Sequence, residues 1–363
     1  MTEESSTTSH LSVAMTTKEM DKMQTTGGNG MVSSYTFGTI FYLILAVILI
    51  GIVGAVGNAL VLYAMYVSKQ HKKQMLIFNQ NVMDFFGSFF VIITYSVHLS
   101  RPYLSGVFGY CLCIILLSEN LIWSAINGSM VNLAIITVDR YLKVVYPVFS
   151  RKWQRPWVIN TAMAVAWFVG FAYNIYAVIM STAVIDGVCH SYMISDNLNM
   201  RLVNGILYPI FFYVMILAIF IFCYWRILLA IRRQAKVMAS HSQAGPSNAS
   251  QAQSHKIQSN VIKTMIIVSA FFAIAWAPYD VYCFLAGTHL VPSLSYSDSA
   301  FFATTFIALI YTCTNPFIYA TKFDPVREVL VKMIPCKKNP VLPTVCAQIA
   351  EPRPWPANNK RAG

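Results

Sequence analysis

Charged side chains are scarce in this sequence. Asp, Glu, Lys and Arg together make up 11% of its 363 residues, while 56% of the residues are hydrophobic. Soluble domains carry about 25% charged residues, so less than half of the usual charge is present. The length would fill several soluble domains, but the apolar residues come in long blocks instead. The composition therefore indicates a protein embedded in a membrane.

Other missing patterns argue against further classes of protein. The sequence has no internal repeat, which leaves an inverted-repeat transporter without support. Its seven His residues are scattered, and no nucleophile–base pair or metal-ligand spacing is found, so we expect no enzyme and no catalytic cofactor. The chain before the first apolar block lacks a signal-peptide pattern. That block is therefore expected to remain as a membrane anchor.

Seven apolar blocks are long enough to cross a bilayer as helices, since each has the ~20 residues that the hydrocarbon thickness requires. They lie at 39–67, 75–98, 111–141, 157–181, 204–231, 260–288 and 299–321. After the last block, "DPVREVLVKMI" spaces its apolar residues at helical intervals, which suits a short helix on the membrane surface. The predicted fold is an all-α membrane protein, a bundle of seven transmembrane helices with a short amphipathic eighth helix.

The remaining segments predict the domain organisation. Residues 1–38 form a polar N-terminal segment that we expect to be extracellular and disordered. Residues 39–334 form the seven-transmembrane domain with its amphipathic helix, and the proline-rich residues 335–363 are expected to be a disordered cytoplasmic tail. Residues 234–258 are rich in Gln, Ser and Ala without an apolar period, and they predict a flexible cytoplasmic loop.

Basic residues predict the orientation in the membrane. All but four of the 26 Lys and Arg residues fall on one side of the bundle, the exceptions being Lys18, Lys22, Arg101 and Arg201. Basic segments stay in the cytoplasm, so the N-terminus is expected outside the cell. The net charge of +12 is then explained by anionic lipid of the inner leaflet, and no nucleic acid is expected as a partner.

A short motif stands in most of the apolar blocks. The motifs are Gly57-Asn58, Asp84 in "NQNVMDFF", "DRY" at 139–141, Trp167, "AWAP" at 275–278 and "NPFIY" at 315–319. In this order and spacing, the chain resembles the rhodopsin-like (class A) G-protein-coupled receptors over residues 39–334. The stretch "SENLIW" at 118–123 is similar to the third helix of several invertebrate peptide receptors, including orphans.

The resemblance implies a set of residues for activation and G-protein coupling. An acid–base pair at the end of an apolar run is costly in a membrane and marks function, and Pro278 inside a block should kink its helix. The implied residues are Asp139, Arg140, Tyr141, Pro147, Tyr224, Phe272, Trp276, Pro278, Asn315, Pro316 and Tyr319. The register of the fifth block stays open, because counting from Pro209 would put Leu217 at the position of Tyr224. Heterotrimeric G protein and arrestin are the implied partners.

Polar residues deep in the apolar blocks must converge, because an unpartnered carboxylate in a membrane is expensive. The residues concerned are Asp84, Ser129, Asn58 and Asn315. Two interpretations remain open. The cluster either holds the helices together by hydrogen bonds or, as the resemblance implies, binds an allosteric sodium ion.

Two cysteine functions are also implied by the resemblance. A Cys113–Cys189 disulfide would tie the second outer loop to the third helix in an oxidising environment. Cys111 remains an alternative, because Cys113 lies further from Arg140 than the family spacing expects. Cys336, which follows the amphipathic helix, is a candidate for palmitoylation.

The ligand pocket is expected at the outer half of the third and sixth helices. Its candidate residues are Glu119, Ile122, Trp123, Ile126, Tyr279, Asp280 and Cys283. Ile122 replaces the aspartate of amine receptors and Leu309 replaces the retinal-linked lysine of opsins, whereas Glu119 and Asp280 would suit a basic peptide. Alternatively, Glu119 faces solvent and Asp280 pairs with a tyrosine.

The resemblance therefore predicts a plasma-membrane receptor that transmits an extracellular ligand to cytoplasmic heterotrimeric G proteins. A peptide is favoured over a small molecule as this ligand. A membrane transporter or channel is the alternative.

Overall fold

The computed structural model describes residues 30–190, 202–240, 248–294 and 299–333. The helices are α1 (Gly30–Val67), α2 (Gln70–Lys73), α3 (Met75–Ser100), α4 (Gly106–Leu112), α5 (Asn120–Val145), α6 (Pro147–Trp153), α7 (Pro156–Ser181), α8 (Met215–Ser240), α9 (Asn248–Gly287), α10 (Ser299–Lys322) and α11 (Asp324–Met333). Short π-helical segments occupy Cys113–Leu117, Val203–Leu207 and Pro209–Val214. Two strands, β1 (Ala183–Ile185) and β2 (Val188–His190), form an antiparallel hairpin.

Seven membrane-spanning helices are present among the described residues, as predicted. They are Phe41–Val67, Met75–Ser100, Gly106–Val145, Pro156–Ser181, Val203–Gln234, Ile262–Gly287 and Ala300–Lys322. Large apolar side chains remain exposed on them, including Phe168 on α7 and Ile274 on α9. A bilayer would cover such a surface, because contact with lipid removes the apolar side chains from water. The amphipathic eighth helix is α11, also as predicted.

The helices close into one bundle around α5. Helix α5 packs against α3, α7 and α8, while α10 packs against α9 and returns to α1. The largest fully buried side chains are Trp276, Tyr319 and Phe272. The bundle has two ends, which we name by what they carry: the disulfide end, with Cys113 and Cys189, and the Arg140 end.

The third membrane helix differs from the continuous helix predicted over 111–141. Its backbone changes to a π-helical segment at Cys113–Leu117 and breaks before α5, where Glu119 adopts a left-handed φ of 59°. A π turn contains more residues than an α turn. The extra residues between Cys113 and Arg140 are accommodated here, so Cys113 still reaches the hairpin.

Two segments predicted to be irregular are helical instead. Helix α1 begins at Gly30, within the predicted disordered segment 1–38, and the predicted loop 234–258 is mostly taken up by the ends of α8 and α9. Ala, Gln and Lys are good helix formers, so α8 and α9 continue beyond their apolar residues. Of that loop, residues 241–247 with Gly245-Pro246 lie outside the described residues. Residues 1–29 and 334–363, which include Cys336, lie outside them too.

The hairpin after α7 carries the disulfide partner of Cys113. Strands β1 and β2 pair with Val184 opposite Cys189, and Asp186 and Gly187 make the turn with positive φ angles. Cys189 bonds to Cys113, which confirms that pairing, and Cys111 is a free, exposed thiol. An Asp-Gly pair between β-branched residues is a hairpin signal, so the sequence contained a sign of this turn that was missed.

Candidate functional site

Arg140 is buried at its end of the bundle and is held mainly by a residue that sequence analysis missed. Its Nη2 donates a hydrogen bond to Oε1 of Gln74, the residue that precedes α3. Asp139 lies further away, with 3.8 Å between Arg140 Nε and Asp139 Oδ2, and the same oxygen accepts a 2.7 Å hydrogen bond from Lys143 Nζ. The expected pairing of Asp139 with Arg140 is therefore loose, because Lys143 competes for the carboxylate.

Tyr224 joins three helices beside Arg140. Its hydroxyl lies 3.2 Å from Thr137 Oγ1 on α5 and 3.0 Å from Ser269 Oγ on α9. Tyr224 is buried, whereas Leu217 is only half-buried. In the register left open by the sequence, the structure therefore has Tyr224 as the inward tyrosine of this helix.

Other predicted switch residues lie on α9 and α10. Phe272 and Trp276 are fully buried on α9, with ring centroids 6.4 Å apart, and Phe272 also meets Tyr311 at 5.7 Å. Pro278 and Pro316 lie inside α9 and α10, and the Tyr319 hydroxyl is buried without a hydrogen-bond partner among the described residues.

Near the Arg140 end, the helix α6 offers an apolar surface. Tyr141 packs edge-on against Tyr146 at 5.7 Å and also contacts Phe222. Pro147 begins α6, and the next residues, Val148 and Phe149, are exposed at 82% and 55%. The predicted coupling residues therefore lie next to an uncovered apolar surface of the kind that partners bind.

The buried polar residues in the middle of the bundle converge on Asp84. Ser129 Oγ donates to Asp84 Oδ1 at 2.6 Å, and Asn315 Nδ2 donates to Asp84 Oδ2 at 2.7 Å. Asn58 makes no direct hydrogen bond to Asp84 among the described residues. Its Nδ2 donates to the carbonyl oxygens of Gly54 and Thr312, and its Oδ1 is buried without a partner. Gln80, which sequence analysis missed, donates to Ser129 Oγ.

At the disulfide end, three aromatic rings pack together beneath the predicted pocket. Trp123 stacks on Tyr279 at 5.4 Å and meets Trp276 edge-on at 6.3 Å, and Trp276 meets Tyr279 at 5.7 Å. Ile122 and Ile126 are buried in the hydrophobic core. Cys283 is buried too.

The two candidate acids of the pocket have different surroundings. Glu119 accepts from the Tyr95 hydroxyl at 2.8 Å and from Trp123 Nε1 at 3.0 Å, so both of its oxygens are bonded within the protein. Glu119 lies at the break before α5, where its φ of 59° is left-handed, so it does not continue the helical face of Trp123. Asp280 is 3% exposed, and its Oδ1 has no hydrogen-bond partner among the described residues.

Of the two glutamines missed in the sequence, Gln80 was predictable. Gln80 stands in "NQN" at 79–81, a polar run inside an apolar block, and such runs need partners in a membrane. Gln74 gave no comparable signal, because a glutamine after Lys72-Lys73 at the edge of a block is ordinary.

The chain resembles known proteins over most of its length. The model of the family described as "7 transmembrane receptor (rhodopsin family)" matches residues 57–319. Melanopsin-A of Gadus morhua is 27% identical over 79% of this chain and 51% of its own length. Somatostatin receptor type 5 of Bos taurus is 23% identical over 86% of this chain and 81% of its own, and galanin receptor 2b of Danio rerio is 28% identical over 79% and 73%. The chain spans about half the length of the Gadus melanopsins.

The fold has a close counterpart among solved structures. The crystal structure of squid rhodopsin matches with a TM-score of 0.65 at 20% identity and covers 87% of this chain and 92% of its own. At this identity the likeness shows the fold alone. The family model, in contrast, extends from the first membrane helix to the seventh, and this chain therefore belongs to the rhodopsin family of seven-transmembrane receptors.

Proposed function

We propose that this protein is a plasma-membrane receptor for a ligand with a cationic group, a peptide being favoured, and that it activates a heterotrimeric G protein through its Arg140 end. The observation that carries the ligand proposal is the buried Asp280 carboxylate, whose Oδ1 lacks a partner among the described residues. A buried charge without a partner is costly, and a ligand cation would remove that cost.

The disulfide end faces the outside of the cell in this proposal. A disulfide persists in an oxidising environment, and Cys113–Cys189 lies at this end. The opposite end carries exposed basic residues, among them Lys72, Lys73, Arg151 and Lys152. Basic residues of this kind favour the cytoplasmic side.

Within the pocket, Asp280 and Glu119 have separate roles. Glu119 is bonded to Tyr95 and Trp123, so it orients the Trp123 ring rather than the ligand. Trp123 stacks on Tyr279, the residue before Asp280. Asp280 is then the acid that pairs with the ligand, and a Lys or Arg side chain or an N-terminal amine of a peptide supplies the cation.

The signal reaches the cytoplasm through the residues around Trp276. This ring packs below Tyr279 and against Phe272 on the same helix. Tyr224 connects that helix to α5, because its hydroxyl bonds to Ser269 on α9 and to Thr137 on α5, three residues before Arg140. A ligand that binds one packing of these rings better than another shifts the population of the two. Release of Arg140 from Gln74 then frees its guanidinium to contact the G protein, which also docks on the exposed apolar surface of α6. Arrestin binds the same end.

Homologues of both kinds match this chain, melanopsins as well as somatostatin and galanin receptors. Leu309 stands where opsins carry the retinal-linked lysine, and its side chain is buried and apolar. Together with the acid at Asp280, this residue favours a diffusible cationic ligand over a covalently held chromophore.

A double-mutant cycle tests the ligand and the coupling together. A peptide screen in reporter cells first identifies an activating peptide, and each basic residue of it is then replaced by Gln. Potency is measured as nucleotide exchange on a co-reconstituted G protein. We expect Asp280→Asn to lower the potency of the basic peptide roughly 10–150-fold, the effect of losing a charged hydrogen bond of ~1.5–3 kcal/mol, and to leave one Gln peptide unaffected.

Glu119→Gln is the control in this cycle, because it acts on the position of Trp123. It should lower the potency of the basic and the neutral peptide by the same factor. A loss of potency in Asp280→Asn that is equal for both peptides would contradict the proposed ion pair.

A further inference from the structure

A continuous chain of side-chain hydrogen bonds connects α7 to the Asp84 carboxylate. Its links are Trp167 Nε1 to Asn79 Oδ1 (3.2 Å), Asn79 Nδ2 to Asn132 Oδ1 (3.0 Å), Asn132 Nδ2 to Gln80 Oε1 (2.8 Å), Gln80 Nε2 to Ser129 Oγ, and Ser129 Oγ to Asp84 Oδ1 (2.6 Å). The chain crosses from α7 to α3 and α5, and Asn315 on α10 donates to the other carboxylate oxygen.

Every link of the chain points in the same direction. Each amide accepts on its oxygen from the residue before it and donates through its nitrogen to the residue after it, and the last donor is the Ser129 hydroxyl. An ionised carboxylate only accepts hydrogen bonds, and a chain of bonds in a low dielectric polarises each member further. The chain therefore presents donor hydrogens to Asp84, which is 3% exposed.

Both oxygens of Asp84 already accept hydrogen bonds, so a sodium ion beside Asp84 would have to compete with these donors. A hard cation needs oxygen acceptors turned towards it, and here the nearest neighbours of the carboxylate present donors. Ser129 donates its hydroxyl hydrogen to Asp84 while Gln80 Nε2 occupies the Ser129 oxygen. Asn315 presents Nδ2 to the carboxylate, and the Nδ2 of Asn58 is bonded to backbone carbonyls. The Oδ1 atoms of Asn58 and Asn315 are buried acceptors without a hydrogen-bond partner among the described residues.

We propose that Gln80, through Ser129, takes the place of a sodium ion in balancing the charge of Asp84, so that this receptor is insensitive to sodium. The amide supplies a partial positive charge that is part of the fold and cannot dissociate. Of the two interpretations of the polar cluster, the geometry favours the hydrogen-bonded one. Helix α7 is linked to the carboxylate through the same bonds.

Sodium binding can be measured without an agonist. The purified receptor is unfolded by heating in a sodium chloride series in which choline chloride keeps the ionic strength constant, because an ion that binds the folded state raises its stability. We expect the same unfolding midpoint for the wild type in both salts. A midpoint that rises with sodium in the wild type and not in Asp84→Asn would overturn the proposal.

Removing the amide should create the sodium dependence that the wild type lacks. In Gln80→Leu, or Gln80→Met if the first variant does not fold, Ser129 Oγ is free to bind a cation. We expect sodium to raise the midpoint by roughly 2–4 °C at about ten times its Kd, and the double variant with Asp84→Asn to lose this rise. Asn174→Ala removes a buried amide whose hydrogen bond among the described residues goes to Gly170 O of its own helix, and this variant should stay insensitive.

Two results would contradict the role of Gln80. A Gln80 variant that folds and remains insensitive to sodium would show that the amide does not replace the ion. A sodium response that survives Asp84→Asn would assign the ion to another site.

Discussion

Replacing Gly170 by alanine tests the closest contact between α5 and α7. A Cβ at Gly170 would lie 2.7 Å from the Gly128 nitrogen and 3.0 Å from the Gly128 Cα, and it would also press on the Ser124 carbonyl oxygen. The contact with the nitrogen is about 0.7 Å short of ordinary packing. These atoms belong to the backbone of α5, so no side chain can rotate away, and the two helices must separate.

The size of the effect follows from two opposing contributions. Overpacking costs ~1–3 kcal/mol, and the upper part of this range applies because a helix backbone has to move. Alanine is the better helix former by about 1 kcal/mol. We therefore expect Gly170→Ala to lower the free energy of unfolding by about 1–2 kcal/mol.

Gly87→Ala is the matched control. Gly87 lies on α3, and a Cβ there would meet only the Ala125 Cβ at 3.5 Å and the Ile126 Cγ1 at 4.0 Å, which are ordinary contacts. This variant should gain up to about 1 kcal/mol from helix propensity. The two alanine variants should thus lie on opposite sides of the wild type and differ from each other by about 1–3 kcal/mol.

Buried thiols provide the assay. Cys223, Cys283 and Cys313 are buried thiols that form no disulfide, so a maleimide dye reacts with them when the bundle opens on heating. We expect the unfolding midpoint of Gly170→Ala to lie roughly 2–6 °C below that of Gly87→Ala. Equal midpoints for the two variants would refute the close contact of α5 and α7.

Two further predictions concern the ends of the bundle. Arg140→Ala should abolish agonist-stimulated nucleotide exchange on a reconstituted G protein at equal surface expression. Lys72 is an exposed basic residue at the same end, and Lys72→Ala should retain the exchange. Unchanged exchange in Arg140→Ala would contradict the role of Arg140 in coupling. Cys189→Ser should lower surface expression and agonist affinity because the hairpin is no longer tied to Cys113, whereas Cys111→Ser should not, and peptide mapping that recovers Cys189 as a free thiol would refute the disulfide.

The fold could be predicted from the sequence because membrane spans are a local property. Twenty apolar residues cross a bilayer as a helix whatever they contact, so each predicted block matches a membrane helix. The helix α11 was predictable for the same reason, since its apolar residues recur at helical intervals. Helix ends were less predictable. Good helix formers such as Ala and Gln extend α8 and α9 beyond the apolar residues that marked the blocks.

The sequence by itself also determined which polar residues must find partners. Asp84, Asn315 and Arg140 stand in apolar surroundings where an unpartnered group is costly, and all three are bonded in the structure. Only the tertiary structure decided the partners. Gln74 holds Arg140, Gln80 bonds to Ser129, and the Asn58 amide donates to the backbone carbonyls of Gly54 and Thr312.

The physical reason is that a partner depends on how each helix is rotated and shifted against its neighbours. The π-helical segment and the left-handed Glu119 change that rotation for the outer part of the third membrane helix, and no periodicity in the sequence records them. At this break Glu119 bonds to Tyr95 and Trp123, so Asp280 is the remaining candidate acid for a ligand cation. Sequence therefore determined the spans and the residues that need partners, and packing between helices decided which side chains meet.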